Sequence, residues 1–458
     1  MKRLAVTAVL ALVPAQAGAW EPETTHGGLA EQAALASRLH KRLVSLGFTG
    51  GLFEPLTIPP ADAPALIDAL KLLSPSHGAV PDSRGRQAAL AWLAAGAALA
   101  DIPAAYGANH FFDPATGRGW TEPDRAVISE LSDAVRRVVG RAPLPGRGMP
   151  APDWVTAKQN PLNLASFLDQ YAKSVSAATP GERSRHMASA LIAAGAMLHV
   201  LGDLGAPSRV RGDSAAHLDP LGGGPDDLGS RFERIAALVY GRLGVPGPSR
   251  TITRQHLRDY FTAKDGGGLA DIIARSYFSP HTLPRPTRIG AGEVRPKLVR
   301  PQPALPARLN LMAASRDEGT LLRDAAGTCL ARYRVEHGLL SFTIDDDCML
   351  EQLAVILPDV AAYETGLLDF LLRGELTIAI GGDIAVTGKG LGAGTVDVLV
   401  EDDRGVRTKL TTAQVAGGSE QLARVAAPST GVRVVAVFHG SDAAGEPVVA
   451  VGAMPFAR

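Results

Sequence analysis

The sequence predicts a mainly α-helical body followed by a small all-β, sandwich-like module, and three observations carry that prediction. From about Gly28 to Leu372 apolar residues recur three and four positions apart, the spacing that lines one face of a helix. After Gly374 the repeat changes to two, as in half-buried strands. Between these regions two short alternating runs, Thr328 to Arg334 and Leu339 to Ile344, flank Glu336-His337-Gly338 and read as a β-hairpin.

In chain order, Met1-Lys2-Arg3, the apolar run Leu4 to Val13 and the small residues Ala17-Gly18-Ala19 make up a secretory signal over 1–19. The apolar run is too short to span a bilayer, and no cysteine follows it for acylation. Cleavage after Ala19 would leave Trp20 as the first residue, so the protein is expected to be exported, to the periplasm or outside the cell. A helical domain over 20–374 then comprises Leu29 to Leu46, Ala61 to Leu72, Gln87 to Leu99, Arg125 to Val139, Leu162 to Val175, Arg183 to Leu204, Leu228 to Leu243 and Met349 to Leu372. Proline and glycine cluster at Arg141 to Pro152, Pro220 to Pro225 and Pro280 to Pro306, and the last of these is expected to be irregular. The hairpin near 328–344 precedes the final helix. The β-module over 375–458 is built on Leu376 to Ile380, Val396 to Val400, Val432 to Phe438 and Val448 to Gly452. No internal repeat is present at solenoid or propeller periods.

With 458 residues the chain can bury a sizeable core without help from a metal. Its 46 basic and 46 acidic side chains cancel, so any phosphate recognition must be local rather than a matter of global steering. The two cysteines, Cys329 and Cys348, suit a disulfide in an oxidising compartment, with free buried thiols as the alternative. No Walker, dinucleotide, nucleophile-elbow or zinc-finger signature is convincing.

Three pieces carry chemistry. His199 and Asp203 are four apart at the end of a helical stretch that Gly205 and Pro207 then stop, so both project from one face. Burying them on an apolar helix is costly unless they are paired or metal-bound. Asn109-His110-Phe111-Phe112-Asp113-Pro114 forms a loop after a helix ending near Asp101. Trp20 would offer a free α-amine with His26 close behind. Each piece alone also fits an ordinary hydrogen-bonded or surface role.

Together they resemble the bacterial zinc-dependent phospholipases C and the related single-strand-specific nucleases, over roughly Trp20 to Glu233 and more loosely to Leu372. The resemblance implies a multi-helical fold with zinc ions lining a cleft that binds a phosphodiester. Asp101, His110, His199 and Asp203 then correspond to the ligands of one zinc. Trp20 and His26, sharing Asp203, correspond to those of an N-terminal zinc. Asp101 is the candidate catalytic residue, orienting or deprotonating the attacking water.

The family's third zinc is where the sequence departs. A histidine expected two residues after the helix-ending proline is Arg209, and another expected four residues before Glu233 is Gly229. Arginine cannot ligate zinc. Either Asp213, His217 and Glu233 build a rearranged site, or the Arg209 guanidinium replaces the cation and grips a phosphate oxygen. The expectation is therefore two zinc ions, with Glu233 a ligand only if the third forms and Arg209 and Arg211 as substrate contacts. Asp213 and His217 otherwise read as a solvated loop.

The remaining histidines, His40, His77, His186, His256, His281, His337 and His439, lack partners at ligand spacing and read as structural or surface residues. The substrate would be a phospholipid or a nucleotide. Tyr106, Phe111, Phe112 and Trp120 could contact either, or simply pack in the core. Some of these phospholipases carry a lipid-docking domain where the β-module lies; membrane-surface contact and a stabilising or partner-binding role are both open for it. A monomer is expected. The alternative reading is a degenerate relative that binds zinc and a ligand or partner without turnover; a purely structural envelope protein would bind no metal.

Overall fold

A computed structural model describes residues 22–72, 80–121, 146–217, 230–290, 303 and 308–456. Trp20, the signal segment, His77, the segment Arg125 to Val139 and Gly229 lie outside the described residues. The architecture is mainly helical with a C-terminal β-sandwich-like module.

The helical body is assembled from α1 (Gly27–Ala36), α2 (Leu39–Ser45), α3 (Pro64–Leu72), α4 (Ala89–Leu99), α5 (Leu164–Ser176), α6 (Pro180–Gly202), α7 (Arg231–Tyr240), α8 (Leu269–Ser276) and α9 (Asp346–Leu371). The expected helix from Leu29 to Leu46 is two helices, because Ser37 takes extended backbone between them. The start expected at Gln87 is a strand residue: β1 (Pro55–Thr57) pairs antiparallel with β2 (Arg86–Ala88) before α4 begins.

Helix ends follow local chemistry. Thr179 caps α6 in a reciprocal box with Glu182, and Pro180 sits in the first turn, where its missing N–H costs nothing. Asp345 caps α9 by accepting from the Cys348 N–H at 3.0 Å. α6 is long and apolar enough to cross a membrane, but it is the buried central helix of the body.

The hairpin β5 (Cys329–Glu336) and β6 (Leu339–Thr343) lies within a four-stranded sheet in the order β3-β6-β5-β4, with β3 (Thr287–Arg288) and β4 (Thr320–Arg323) on its edges. β3 falls in the stretch expected to be irregular. Cys329 and Cys348 are joined in a disulfide that ties β5 to the first turn of α9.

The β-module comprises β7 (Gly374–Ile380), β8 (Asp383–Gly388), β9 (Leu391–Glu401), β10 (Arg407–Val415), β11 (Gln421–Ala426), β12 (Arg433–Asp442) and β13 (Pro447–Pro455). The hydrogen-bonded order is β10-β9-β12-β13-β7-β8-β11, antiparallel except for β13 and β7, and the sheet turns so that β11 lies over β10. Between its two halves Ile384, Val386, Val396, Val398, Val434 and Phe438 form one core. Alternate residues Leu399, Val435, Val437, Val449 and Val451 point the other way, into the core of the helical body. That second apolar face explains the near-continuous hydrophobic runs of β12 and β13. The missed strands β8, β10 and β11 have polar outer faces and broken alternation.

Candidate metal centre

Two helices that cross at close quarters create the centre. A Cβ on Gly96 of α4 would lie 2.1 Å from the Ile192 carbonyl oxygen, and one on Gly195 of α6 would lie 2.0 Å from that of Leu93. Only glycine permits this approach. It brings Asp101, just past the end of α4, against His199 in the last turn of α6. Asp203 begins the 3₁₀ turn Asp203–Gly205 with helical backbone, so it stays on the face of His199. The 3₁₀ turn Ala104–Asn109 returns the chain to deliver His110, and His26 arrives from the turn preceding α1.

The side chains of Asp101, His110, His199, Asp203 and His26 are at most 6% exposed and surround one point. His199 Nδ1 donates to the Ala97 carbonyl at 2.8 Å, which leaves Nε2 facing Asp101 Oδ2 and Asp203 Oδ2, each at 3.3 Å. His110 Nδ1 lies 2.9 Å from Asp203 Oδ2 and 3.3 Å from Asp101 Oδ1. His26 Nε2 lies 3.0 Å from Asp203 Oδ1, and its ring stacks on that of His199 with centroids 3.5 Å apart. Among the described residues, His26-His199-Asp203 and Asp101-His110-His199 each present donor atoms close enough to share an ion.

The electrostatics call for a cation. Two buried carboxylates this close repel unless positive charge lies between them. Burial opposes protonation of His199, but Asp203 and Asp101 overcome it and raise its pKa to about 10. Burial, reinforced by the neighbouring His199, lowers that of His26 to about 3 despite Asp203. Burial would raise both aspartates, yet His199 and His110 hold Asp101 below its usual range, and Arg209, His199 and His26 hold Asp203 well below. Asp101 Oδ1 and Oδ2, His110 Nε2 and His199 Nε2 are buried with no hydrogen bond. Imidazole nitrogens and carboxylate oxygens gathered in a buried site are the donor set a borderline divalent metal takes, so these residues fit one.

The third site of the family pattern does not fit. Glu233 Oε1 accepts from Arg209 Nε at 2.7 Å and Oε2 accepts from the Ser230 N–H in the capping box of α7. Glu233 thus stands in an ion pair and a helix cap, outside the two groups whose donor atoms could share an ion, in place of the metal role expected of it. Arg209 is fully buried, with Nη1 3.3 Å from Asp203 Oδ2 and its guanidinium carbon 4.6 Å from the centre of the Phe111 ring. Its fixed charge stands beside the centre, at the sequence position where the resemblance led a histidine to be expected.

Asp213 and His217 are not in a solvated loop. Asp213 is buried and accepts from His281, through both the backbone N–H and Nδ1, at 2.9 Å each. His217 is buried against the Phe111 ring with Nδ1 3.6 Å from Glu233 Oε2. Arg211 is also buried: Nε donates to Thr282 Oγ1 at 2.7 Å and Nη1 to the Ala274 carbonyl at 2.5 Å. Those bonds tie the chain after α6 to α8 and the turn beyond it, so the substrate contact expected of Arg211 is replaced by an architectural one. Phe111, Phe112 and Trp120 are core residues.

The sequence reading passed over Glu364. It lies in the middle of α9 with 1% exposure, and neither carboxylate oxygen has a hydrogen bond. A lone acid inside the buried run Val360 to Leu368 was the available signal. Near Arg209 and Glu233, Ser208 and Ser230 line a cavity of about 170 Å³ together with Phe278, His281 and Met349.

No family model matches the chain, and no curated protein matches it in sequence. Among solved structures it is similar to the alpha toxin of Clostridium absonum, at 12% identity over 97% of each chain with a TM-score of 0.31. It is also similar to Clostridium perfringens alpha-toxin from avian strain SWCP, at 11% identity over 96% of this chain and 99% of that one, with a TM-score of 0.30. At those TM-scores the likeness carries no conclusion about the activity or ligands of this chain.

Proposed function

We propose that the protein is an exported zinc-dependent hydrolase of phosphoric esters, acting on a phospholipid or nucleotide phosphodiester. The observation that supports it best is that Asp101, His110, His199 and Asp203 converge in a buried site, His110 through Nδ1, with both Asp101 oxygens and His199 Nε2 lacking a hydrogen bond. Asp101, His110, His199 and Asp203 would hold one zinc; His26, Asp203 and the Trp20 amine would hold a second. Zinc there would neutralise charge on a phosphoryl oxygen and acidify a water.

The chain's own residues define the rest. His199 is fixed by Ala97 in the tautomer that presents Nε2. Asp101 has both oxygens turned to the centre without a donor, which suits it to orient the attacking water or take its proton. Arg209 is anchored through Nε on Glu233, while Nη1 and Nη2 have no hydrogen bond. A phosphate oxygen would satisfy both as a paired contact. No step is assigned to a third metal.

Turnover of bis(p-nitrophenyl) phosphate by the purified protein, abolished by chelator and restored by zinc, is the test; a protein that binds zinc but shows no such turnover is instead a non-catalytic binder. That second reading is favoured by the Arg209–Glu233 pair, which stands in place of the third metal that the resemblance implies. Membrane contact through the β-module belongs to the same proposal and gains little support from its surface. Val406, Val432 and Met454 are its exposed large apolar residues among those described, while Leu238, Leu243 and Met312 in the helical body are far more exposed.

A further inference from the structure

His26 uses one ring nitrogen and leaves the other unaccounted for. Nε2 faces Asp203 Oδ1 at 3.0 Å, inside the group of three that could share an ion. Nδ1 is buried with no hydrogen bond. On that side of the ring stands Glu364, whose two oxygens are also buried without a hydrogen bond. Both groups crowd the same face of Gly202: a Cβ there would meet Glu364 Oε1 at 2.5 Å and His26 Nδ1 at 3.4 Å. α9 thus places a carboxyl group behind this histidine.

A neutral imidazole has one N–H and one lone pair. To ligate through Nε2, His26 must carry its proton on Nδ1, and that N–H then needs a buried acceptor. His199 solves the same problem with the Ala97 carbonyl. Histidines that bind metals generally hand their second N–H to a carbonyl or carboxylate, which fixes the tautomer and strengthens the ligand.

We propose that Glu364 is the positioning carboxylate of His26: it accepts the Nδ1–H and holds the ring with Nε2 bare toward Asp203 and the N-terminal metal. Gly202 is the opening through which the two side chains meet. The inference rests on the metal-binding reading above and adds to it a residue from the last helix, more than 300 positions from His26 in sequence.

The test compares wild type, Glu364→Gln and Glu364→Leu, purified from the full chain, by zinc content, by competition with a chromophoric chelator and by the visible spectrum after cobalt substitution. Expected is a loss of affinity at one metal only, about 10-fold for Glu364→Gln and about 100-fold for Glu364→Leu, with altered cobalt bands for that site. Metal-free Glu364→Gln should melt no lower than wild type, because a glutamine of the same shape keeps the packing and still offers an oxygen to the His26 N–H. Wild-type affinity and cobalt bands in Glu364→Gln, with a lowered metal-free melting temperature, would overturn the inference in favour of a packing role and leave the metal centre standing. Zinc-free wild type would overturn both.

Discussion

Asp203 is the residue on which the centre turns, since its two oxygens serve His26, His110, His199 and Arg209 at once. His199 is the neighbour whose removal is easiest to interpret, because its other nitrogen is committed to Ala97. His199→Ala should lose one zinc per chain by elemental analysis and all chelator-sensitive turnover; unchanged zinc content would exclude it as a ligand. Arg209→Lys keeps the charge but loses the planar fork, and Nε no longer meets Glu233. The expected loss is that of about one charged hydrogen bond, about 2 kcal/mol or roughly 30-fold in kcat/KM, with zinc content unchanged. Gly202→Ala drives a methyl into Glu364 and His26, so its cost of about 1–3 kcal/mol in thermal unfolding should come with weakened binding of one metal only.

At the scale of elements, α4 and α6 frame the centre, short turns deliver His26, His110 and Asp203 to it, and α9 packs behind it with Glu364. α9 also carries the disulfide and a cap that can be tested apart from function. Asp345 accepts from the Cys348 N–H and, at 2.5 Å, from Arg332 Nε. Burial would raise its pKa, but Arg332 and the cap hold it below the ordinary 3.8. A carboxyl lowered in the folded state stabilises above its unfolded pKa and loses that contribution as pH falls through the folded value. Asp345→Ala should therefore cost about 1 kcal/mol in urea unfolding near neutrality, and the gap to wild type should close in acid below about pH 4. The same elements show what the sequence could and could not disclose. The long helices α5, α6 and α9 were legible because one face or all faces are apolar at helical spacing. β8, β10 and β11 were not, because burial on a single face leaves too few hydrophobic residues in a short strand to mark the alternation. β3 was hidden inside a proline-rich stretch whose two-residue pairing has no signature. His199 and Asp203 could be singled out by spacing and His110 by the resemblance its loop carries, whereas the Arg209–Glu233 pair and the approach of Glu364 and His26 to Gly202 arise from tertiary packing that local spacing does not encode.

Across the whole molecule, the β-module is held to the helical body by apolar and charged contacts together. Leu399, Val435 and Val437 enter the body's core, where α5 packs on β12 and β13. Around them Arg407 donates to the Val175 carbonyl and pairs with Glu401 at 2.7 Å, while Arg183 donates to the Gly405 carbonyl at 2.7 Å and Arg373 pairs with Asp442 at 2.9 Å. A buried apolar face of this kind is difficult to expose to water, so the module and body should unfold together in one calorimetric transition; a separate low-temperature transition removed by deleting 375–458 would show the contact to be weak. The far end of the chain carries the last prediction. If the Trp20 amine completes the site of His26 and Asp203, its chemistry depends on a free terminus, because an amide nitrogen has no lone pair to give a metal. Protein that begins at Trp20 should hold about two zinc ions, and the same chain with a single extra residue before Trp20 about one, while His199→Ala in either background should remove the other. Equal zinc in both forms would leave the centre around Asp101, His110 and His199 intact but would place the partner of His26 elsewhere than the N-terminus.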